Sequence, residues 1–200
     1  MTVLTILPTS DVTKEWSRST GTNSYTLVDD NHVTTDYIYG PTGAEATKTE
    51  RYGMADHTAE AGTISNVRVV GYCKRVQQGA ETNAWIKLGV KIGATDYGLT
   101  QQTLTTSYID YYQNFAVNPA TTNAWSWAEV DALIGVIAGH IYYTDVENSS
   151  QPFCASFWIE VTYTSGWANI TQVKGIASAS IAEKKGIAVA SISQCKGIAV

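Results

Sequence analysis

Residues 153–164 read FCASFWIEVTYT, and strict alternation through this stretch decides the fold class. Phe153, Ala155, Phe157, Ile159, Val161 and Tyr163 fall on one side of an extended chain, opposite Cys154, Ser156, Trp158, Glu160 and Thr162. A period of two with one apolar side is the pattern of a half-buried β-strand. Such a strand needs neighbours in a sheet and a second layer over its apolar face.

The same pattern recurs upstream. In AWIKLGVKI, Ile86, Leu88, Val90 and Ile92 share one face, expected to look inward, while Trp85, Lys87, Gly89 and Lys91 share the other. Further strands are expected over about 63–76, about 106–117, near 35–39, and through IGVIA with HIYYT near 134–144. One short helix of two turns is predicted at WSWAEVDAL, because Ser126 and Glu129 have capping-box spacing and Val130 and Leu133 recur three apart. Short strands separated by turn-rich links such as VQQGAETN and NPATTN, with a single helix, predict an all-β, antiparallel β-sandwich of jelly-roll type.

Composition agrees. The 200 residues are 44% hydrophobic and 16% charged, with 12 Tyr and 6 Trp against 3 Phe, which suits one strand-rich core plus an appendage. The net charge is −5. Residues 170–200 hold Lys174, Lys184, Lys185 and Lys196 against Glu183, so four minus one makes the tail +3 and leaves −8 for the remainder. An acidic body argues against nucleic acid as a partner, since phosphate contacts need clustered cations. No segment has the length of a membrane span, and the N-terminal stretch lacks a basic leader, so the expectation is a protein made and folded in the cytosol without Sec export.

After Thr164 the alternation breaks at SGWAN. The body is therefore taken as 1–164, with a linker at 165–169 and a tail at 170–200. In the tail, ITQVKGIASAS (170–180), IAEKKGIAVAS (181–191) and ISQCKGIAV (192–200) align with a period of eleven. Eleven can be a helical period, but Gly175, Gly186 and Gly197 each cost a helix about 1 kcal/mol relative to Ala. Strand and turn fit better, with VKG and KKG as turns and IAVASI as a strand. Both sides of that strand are apolar or small, so it needs cover that one short ribbon cannot supply. The tail is thus expected to close between chains, through Ile170, Gly175, Ile176, Ile181, Gly186, Ile187, Val189, Ile192, Gly197 and Ile198, either as intertwined copies, with a homotrimer as the expected state, or by docking against a partner's surface. A flexible low-complexity tail is the competing reading.

Motifs of chemistry are sparse. Cys73, Cys154 and Cys195 are widely spaced and odd in number, giving neither a disulfide framework nor a metal site, and are expected to be buried, idle thiols. His32, His57 and His140 make no metal motif. VDDNHVTTD gathers Asp29, Asp30, Asn31, His32 and Asp36, but it lacks the Ca²⁺-loop pattern and reads as a solvated loop with Asx turns. Asp145 with Glu147, and Glu129 with Asp131, are carboxylate pairs of the type a glycosidase uses, with nothing beside them to raise a pKa. No cofactor fingerprint appears, and neither catalytic residues, cofactor nor metal are expected. Trp125, Trp127, Trp158, Trp167, Tyr111 and Tyr112 suit either a sugar-binding face or core packing.

QTLTTSYIDYYQNFAVNPATTNAWSWAEVDAL (102–133), followed by ASFWIEVTYT (155–164), resembles a β-sandwich domain that recurs in structural proteins of tailed phages, and the KGIA-type tail is similar to repeats of phage-encoded virion proteins. The resemblance covers about three-quarters of the chain and matches residues 1–60 less clearly. It implies a non-enzymatic virion-associated structural protein, a capsid decoration or fibre-like subunit, with another virion protein as a second partner, and carries no functional residues over. The alternative is a carbohydrate-binding module for attachment to glycans, and a third is a glycoside-active enzyme of similar fold.

Overall fold

The computed structural model describes residues 1–40, 45–79, 83–145 and 148–165, with short backbone pairings at 172–173, 176–177, 183–184 and 187–188. The first strands are β1 (Thr2–Ile6), β2 (Pro8–Thr13), β3 (Ser17–Arg18), β4 (Ile38–Tyr39), β5 (Ala46–Met54) and β6 (Gly62–Gln78). There follow β7 (Trp85–Ile92), β8 (Thr95–Thr103), β9 (Ile109–Phe115), the helix α1 (Trp127–Asp131), β10 (Ile134–Asp145) and β11 (Asn148–Ser165). All pairings are antiparallel.

Two layers emerge. In one, β11 pairs with β6 along its length, β6 pairs with β9, and the other edge of β11 takes β1 and then β4, which carries β3. In the other, β5 and β7 flank β10, with β2 outside β5 and β8 outside β7. Hence the orders are β4-β11-β6-β9 and β5-β10-β7-β8. Numbering those eight strands in chain order gives 1-8-3-6 and 2-7-4-5, the connectivity of a jelly roll. The chain changes layer at each step from β4 to β7, turns back within one layer at β7–β8, and links the layers again through β9, β10 and β11.

The core forms where the two apolar faces meet. Ile86, Leu88 and Val90 of β7 are fully buried as the alternation requires, and Ile92 packs partly buried against them. On β11, Phe157, Ile159, Val161 and Tyr163 point inward with them. Phe153 does not. The ladder with β6 slips between Cys154 and Ser156, and this bulge at Ala155 reverses the phase. Cys154 therefore joins the core, while Phe153 turns outward to stack on Tyr39 with ring centroids 5.4 Å apart. A second slip, between Thr162 and Tyr163 opposite Ser65, lets both Ile64 and Val67 face inward despite their odd separation.

Glycines admit large partners where the layers approach. A side chain at Gly139 would collide with the Trp16 ring, and one at Gly135 with Phe157. Trp16 thus plugs the sandwich beside β10. Its backbone N–H and that of Glu15 both donate to one carboxylate oxygen of Glu50, a fully buried residue on the inward face of β5.

Several elements differ from expectation in extent. The strand expected over 106–117 occupies Ile109–Phe115, that near 35–39 only Ile38–Tyr39, and IGVIA with HIYYT form the single strand β10. The helix is five residues long, little more than one turn. Its capping box is present: the Ser126 side chain accepts from the Glu129 N–H, and the Glu129 carboxylate accepts from the Ser126 N–H at 2.8 Å. Asn118 also donates to Glu129 at 2.9 Å.

In the tail, β12 (Gln172–Val173) pairs with β13 (Ile176–Ala177), and β14 (Glu183–Lys184) with β15 (Ile187–Ala188). Ile176 and Ile187 sit in these strands. Ile170, Gly175, Ile181, Gly186, Val189, Ile192, Gly197 and Ile198, and the linker from 166, lie outside the described residues.

Candidate functional site

The outer face of the layer containing β10 holds a cleft of about 300 Å³ lined by Asn83, Trp85, Gln101, Thr103, His140 and Tyr142. Register explains how residues so distant in sequence meet. His140 of β10 lies opposite Trp85 of β7, which lies opposite Thr103 of β8. The next row runs Ala138, Lys87, Gln101. Because side chains two apart along a strand share a face, these rows stand side by side on the solvent side of the sheet.

The Trp85 and His140 rings are nearly parallel, 5° apart in plane with centroids at 5.0 Å, and stack on each other. The Lys87 ammonium stands 4.8 Å from the Trp85 ring centroid, where the ring's negative face attracts it. His140 is fixed from its other side: Nε2 lies 3.3 Å from the Glu45 carboxylate and Nδ1 3.2 Å from the Thr47 hydroxyl. The Glu45 carboxylate, which only accepts, takes an N–H from Nε2, while the Thr47 hydroxyl can serve Nδ1 as donor or acceptor. The rest of the lining is neutral amide and hydroxyl, and among the described residues no carboxylate lines the cleft.

The aromatic residues singled out in the sequence separate. Trp125 and Tyr111 are buried in the core, the Trp125 indole N–H donating to the Phe115 carbonyl at 3.0 Å. Trp127 stacks on His57 at 4.8 Å and meets Tyr163 edge-on at 5.1 Å, near the helix. Trp167 lies outside the described residues. Only Trp158 and Tyr112 share a face, the outer side of the β11-β6-β9 layer, where Val70 lies between them in register.

That face is already engaged with itself. Arg68 covers the Tyr112 ring at 4.1 Å and pairs with Glu160 at 3.4 Å. The Trp158 indole N–H donates to Glu160 at 3.0 Å, and Trp158 is 6% exposed. His32 closes over Trp158 and Tyr72, with Nε2 2.9 Å from Asp110 and its backbone N–H donating to the Ser156 hydroxyl.

Glu129 and Asp131 do not converge. Glu129 caps α1, and the Ser126 backbone and side chain, with Asn118, hold its carboxyl below the usual value. Asp131 faces His57 instead, with Nδ1 at 2.7 Å and the His57 backbone N–H at 3.0 Å. Burial works upward on Asp131, but these hydrogen bonds outweigh it and leave the carboxyl lowered. Glu147 and the side chain of Asp145 are outside the described residues. In the Asp29 to Asp36 loop, burial and the neighbouring Asp30 raise the Asp29 carboxyl, and His32 is spent on Asp110. Among the described residues no cluster of three or more His, Cys, Asp or Glu is placed to hold a metal ion, and no helix is long and apolar enough to cross a membrane.

The sequence reading missed Trp85 and His140 as a pair. The available signal was the outward position of Trp85 in AWIKLGVKI; its partner depends on a register that one strand does not disclose.

No family model matches the chain, and no curated protein matches it. Among solved structures, the chain is similar to TmCBM61 in complex with beta-1,4-galactotriose, with TM-score 0.35 and 8% identity over 78% of this chain and 86% of that one. It is also similar to a Family 16 Carbohydrate Binding Module-2, with TM-score 0.31 and 11% identity over 64% of this chain and 78% of that one.

Proposed function

We propose that the protein is a non-enzymatic glycan-recognition module that binds through the Trp85–His140 cleft. The observation that carries this reading is the stacked Trp85–His140 pair lining a cleft beside neutral amide and hydroxyl groups from Asn83, Gln101, Thr103 and Tyr142. Saccharides present just those two surfaces: C–H faces that pack on aromatic rings, and hydroxyl groups that exchange hydrogen bonds with amides and hydroxyls. The cleft volume is at the small end of ligand sites, roughly 300–1,000 Å³, which suits a short stretch of sugar. Glycan-array screening of the full chain tests it. Binding is expected, with at least tenfold loss on Trp85→Ala or Gln101→Ala and none on Tyr112→Ala. Array binding that survives Trp85→Ala, or no glycan binding at all, refutes it.

A second reading concerns how the module is presented. The paired residues Gln172 with Ala177 recur eleven positions later as Glu183 with Ala188, and Val173 with Ile176 recur as Lys184 with Ile187. This supports a strand-and-turn unit written twice; that such units assemble copies into a homotrimer, in a virion-associated structural subunit such as a capsid decoration or fibre, is the second proposal. Deleting residues 166–200 is expected to leave a folded monomeric sandwich. Unchanged oligomer mass in light scattering rejects the assembly role.

A further inference from the structure

Cys73 and Cys154 stand 81 positions apart in the chain, yet the β6–β11 register places them directly opposite each other. Their row continues to Ile38 of β4 on one side and Ile109 of β9 on the other, so the pair occupies the middle of a four-strand layer. Both are fully buried, both belong to the core cluster, and neither is in a disulfide. The bulge at Ala155 brings this about: without the phase reversal Cys154 would face solvent. Burial, with the neighbouring Cys154 thiol, pushes the Cys73 thiol well above its ordinary range. Cys154 also donates to the Ser156 carbonyl, at 3.2 Å.

We propose that Cys73 and Cys154 form a redox-gated cross-strand staple, two thiols under reducing conditions and one disulfide after exposure to a small-molecule disulfide oxidant. Opposed residues in an antiparallel ladder have Cα atoms about 4.5–5.5 Å apart, inside the roughly 4.4–6.8 Å that a disulfide spans. Closure therefore needs side-chain rotation and little backbone movement. The chemistry balances as two exchanges. One cysteine thiolate attacks a sulfur of oxidised glutathione, forming a mixed disulfide and releasing one glutathione thiolate. The second cysteine thiolate attacks the protein sulfur of that mixed disulfide, forming the Cys73–Cys154 bond and releasing the second glutathione thiolate. The two cysteine protons end on the two released thiols, and the oxidised glutathione takes the two electrons. Burial keeps the Cys73 thiol protonated and shields both residues from solvent in the closed sandwich, so exchange proceeds when β6 and β11 separate, during folding or local opening.

The bond would join the two central strands of one layer and close a loop of about eighty residues, the kind of crosslink that most restricts the unfolded chain. The test uses the full-length protein equilibrated with oxidised glutathione in mild urea, then alkylated and mapped by mass spectrometry without reduction. The expected result is a linked peptide pair containing Cys73 and Cys154, reversed by dithiothreitol, with a thermal midpoint several degrees higher. Cys195→Ser is expected to leave this unchanged, and Cys73→Ala and Cys154→Ala each to abolish the shift. Complete alkylation of both residues after the treatment, crosslinks confined to Cys195, or a linked pair with no rise in midpoint would each overturn the proposal.

Discussion

Glu50 makes stability fall as pH rises through neutrality. Its side chain is fully buried on the inward face of β5, one oxygen accepts from the Glu15 and Trp16 N–H groups, and the other accepts no hydrogen bond among the described residues. Burial dominates, with a small push from Asp11, and lifts the carboxyl from 4.5 to about 7 against the two backbone donors and Ser24. The folded chain thus holds this proton more tightly than the unfolded chain. The stabilisation is complete below about pH 4.5 and is lost as pH rises through about 7. At about 1.4 kcal/mol for each pH unit between the two values, the swing is on the order of 3 kcal/mol. For a body of this size that is roughly 6–12 °C in thermal midpoint. Thermal unfolding followed by circular dichroism between pH 5 and pH 8 measures it. Glu50→Gln keeps an oxygen for the two N–H donors and removes the charge. The variant is expected to be more stable than wild type at pH 8 and close to it at pH 5. If the two proteins keep a constant difference across that range, the charge of Glu50 is not what burial penalises and the reasoning fails.

Other outcomes follow from packing and capping. Phe157→Ala should destabilise by about 3–5 kcal/mol, since the ring fills the space left by Gly135, and denaturant unfolding reads this directly. Gly139→Leu should be at least as damaging by the same measurement, because Trp16 occupies the volume and has nowhere to retreat. Ser126→Ala removes one half of the capping box and should cost about 1 kcal/mol, without altering the binding proposed for the Trp85–His140 cleft. In the tail, Gly186→Val should weaken assembly, seen as a smaller mass in light scattering with the body still folded, because a β-branched residue resists the turn conformations glycine permits.

The elements legible in the sequence were those whose local pattern agrees with their surroundings. AWIKLGVKI alternates without interruption and β7 keeps that phase; Ser126 and Glu129 carry the helix start within four residues. The β11 pattern was read correctly from Phe157 onward and wrongly before it, because one unpaired residue at Ala155 shifts the phase and leaves no trace in hydropathy. β5 was missed altogether: its inward positions include Glu50, so the strand reads as polar where it is most buried. β1, β2 and β8 were missed because they lie at edges with several exposed positions. The cleft belongs to the same category. Trp85, His140 and Thr103 each lie on separate strands, and their meeting is a property of pairing between strands.

The placement of β11 has a consequence for synthesis on the ribosome. This strand bonds to β1, β4, β6 and β10, so nearly half the ladders of the sandwich wait for a segment ending at Ser165. Until it has emerged, β6 offers a long open edge of seventeen residues to any strand nearby. Pairings this distant in sequence form slowly, so nascent chains should depend on a chaperone or on low concentration to reach the closed sandwich, and truncation before residue 148 should yield aggregates instead of a smaller fold.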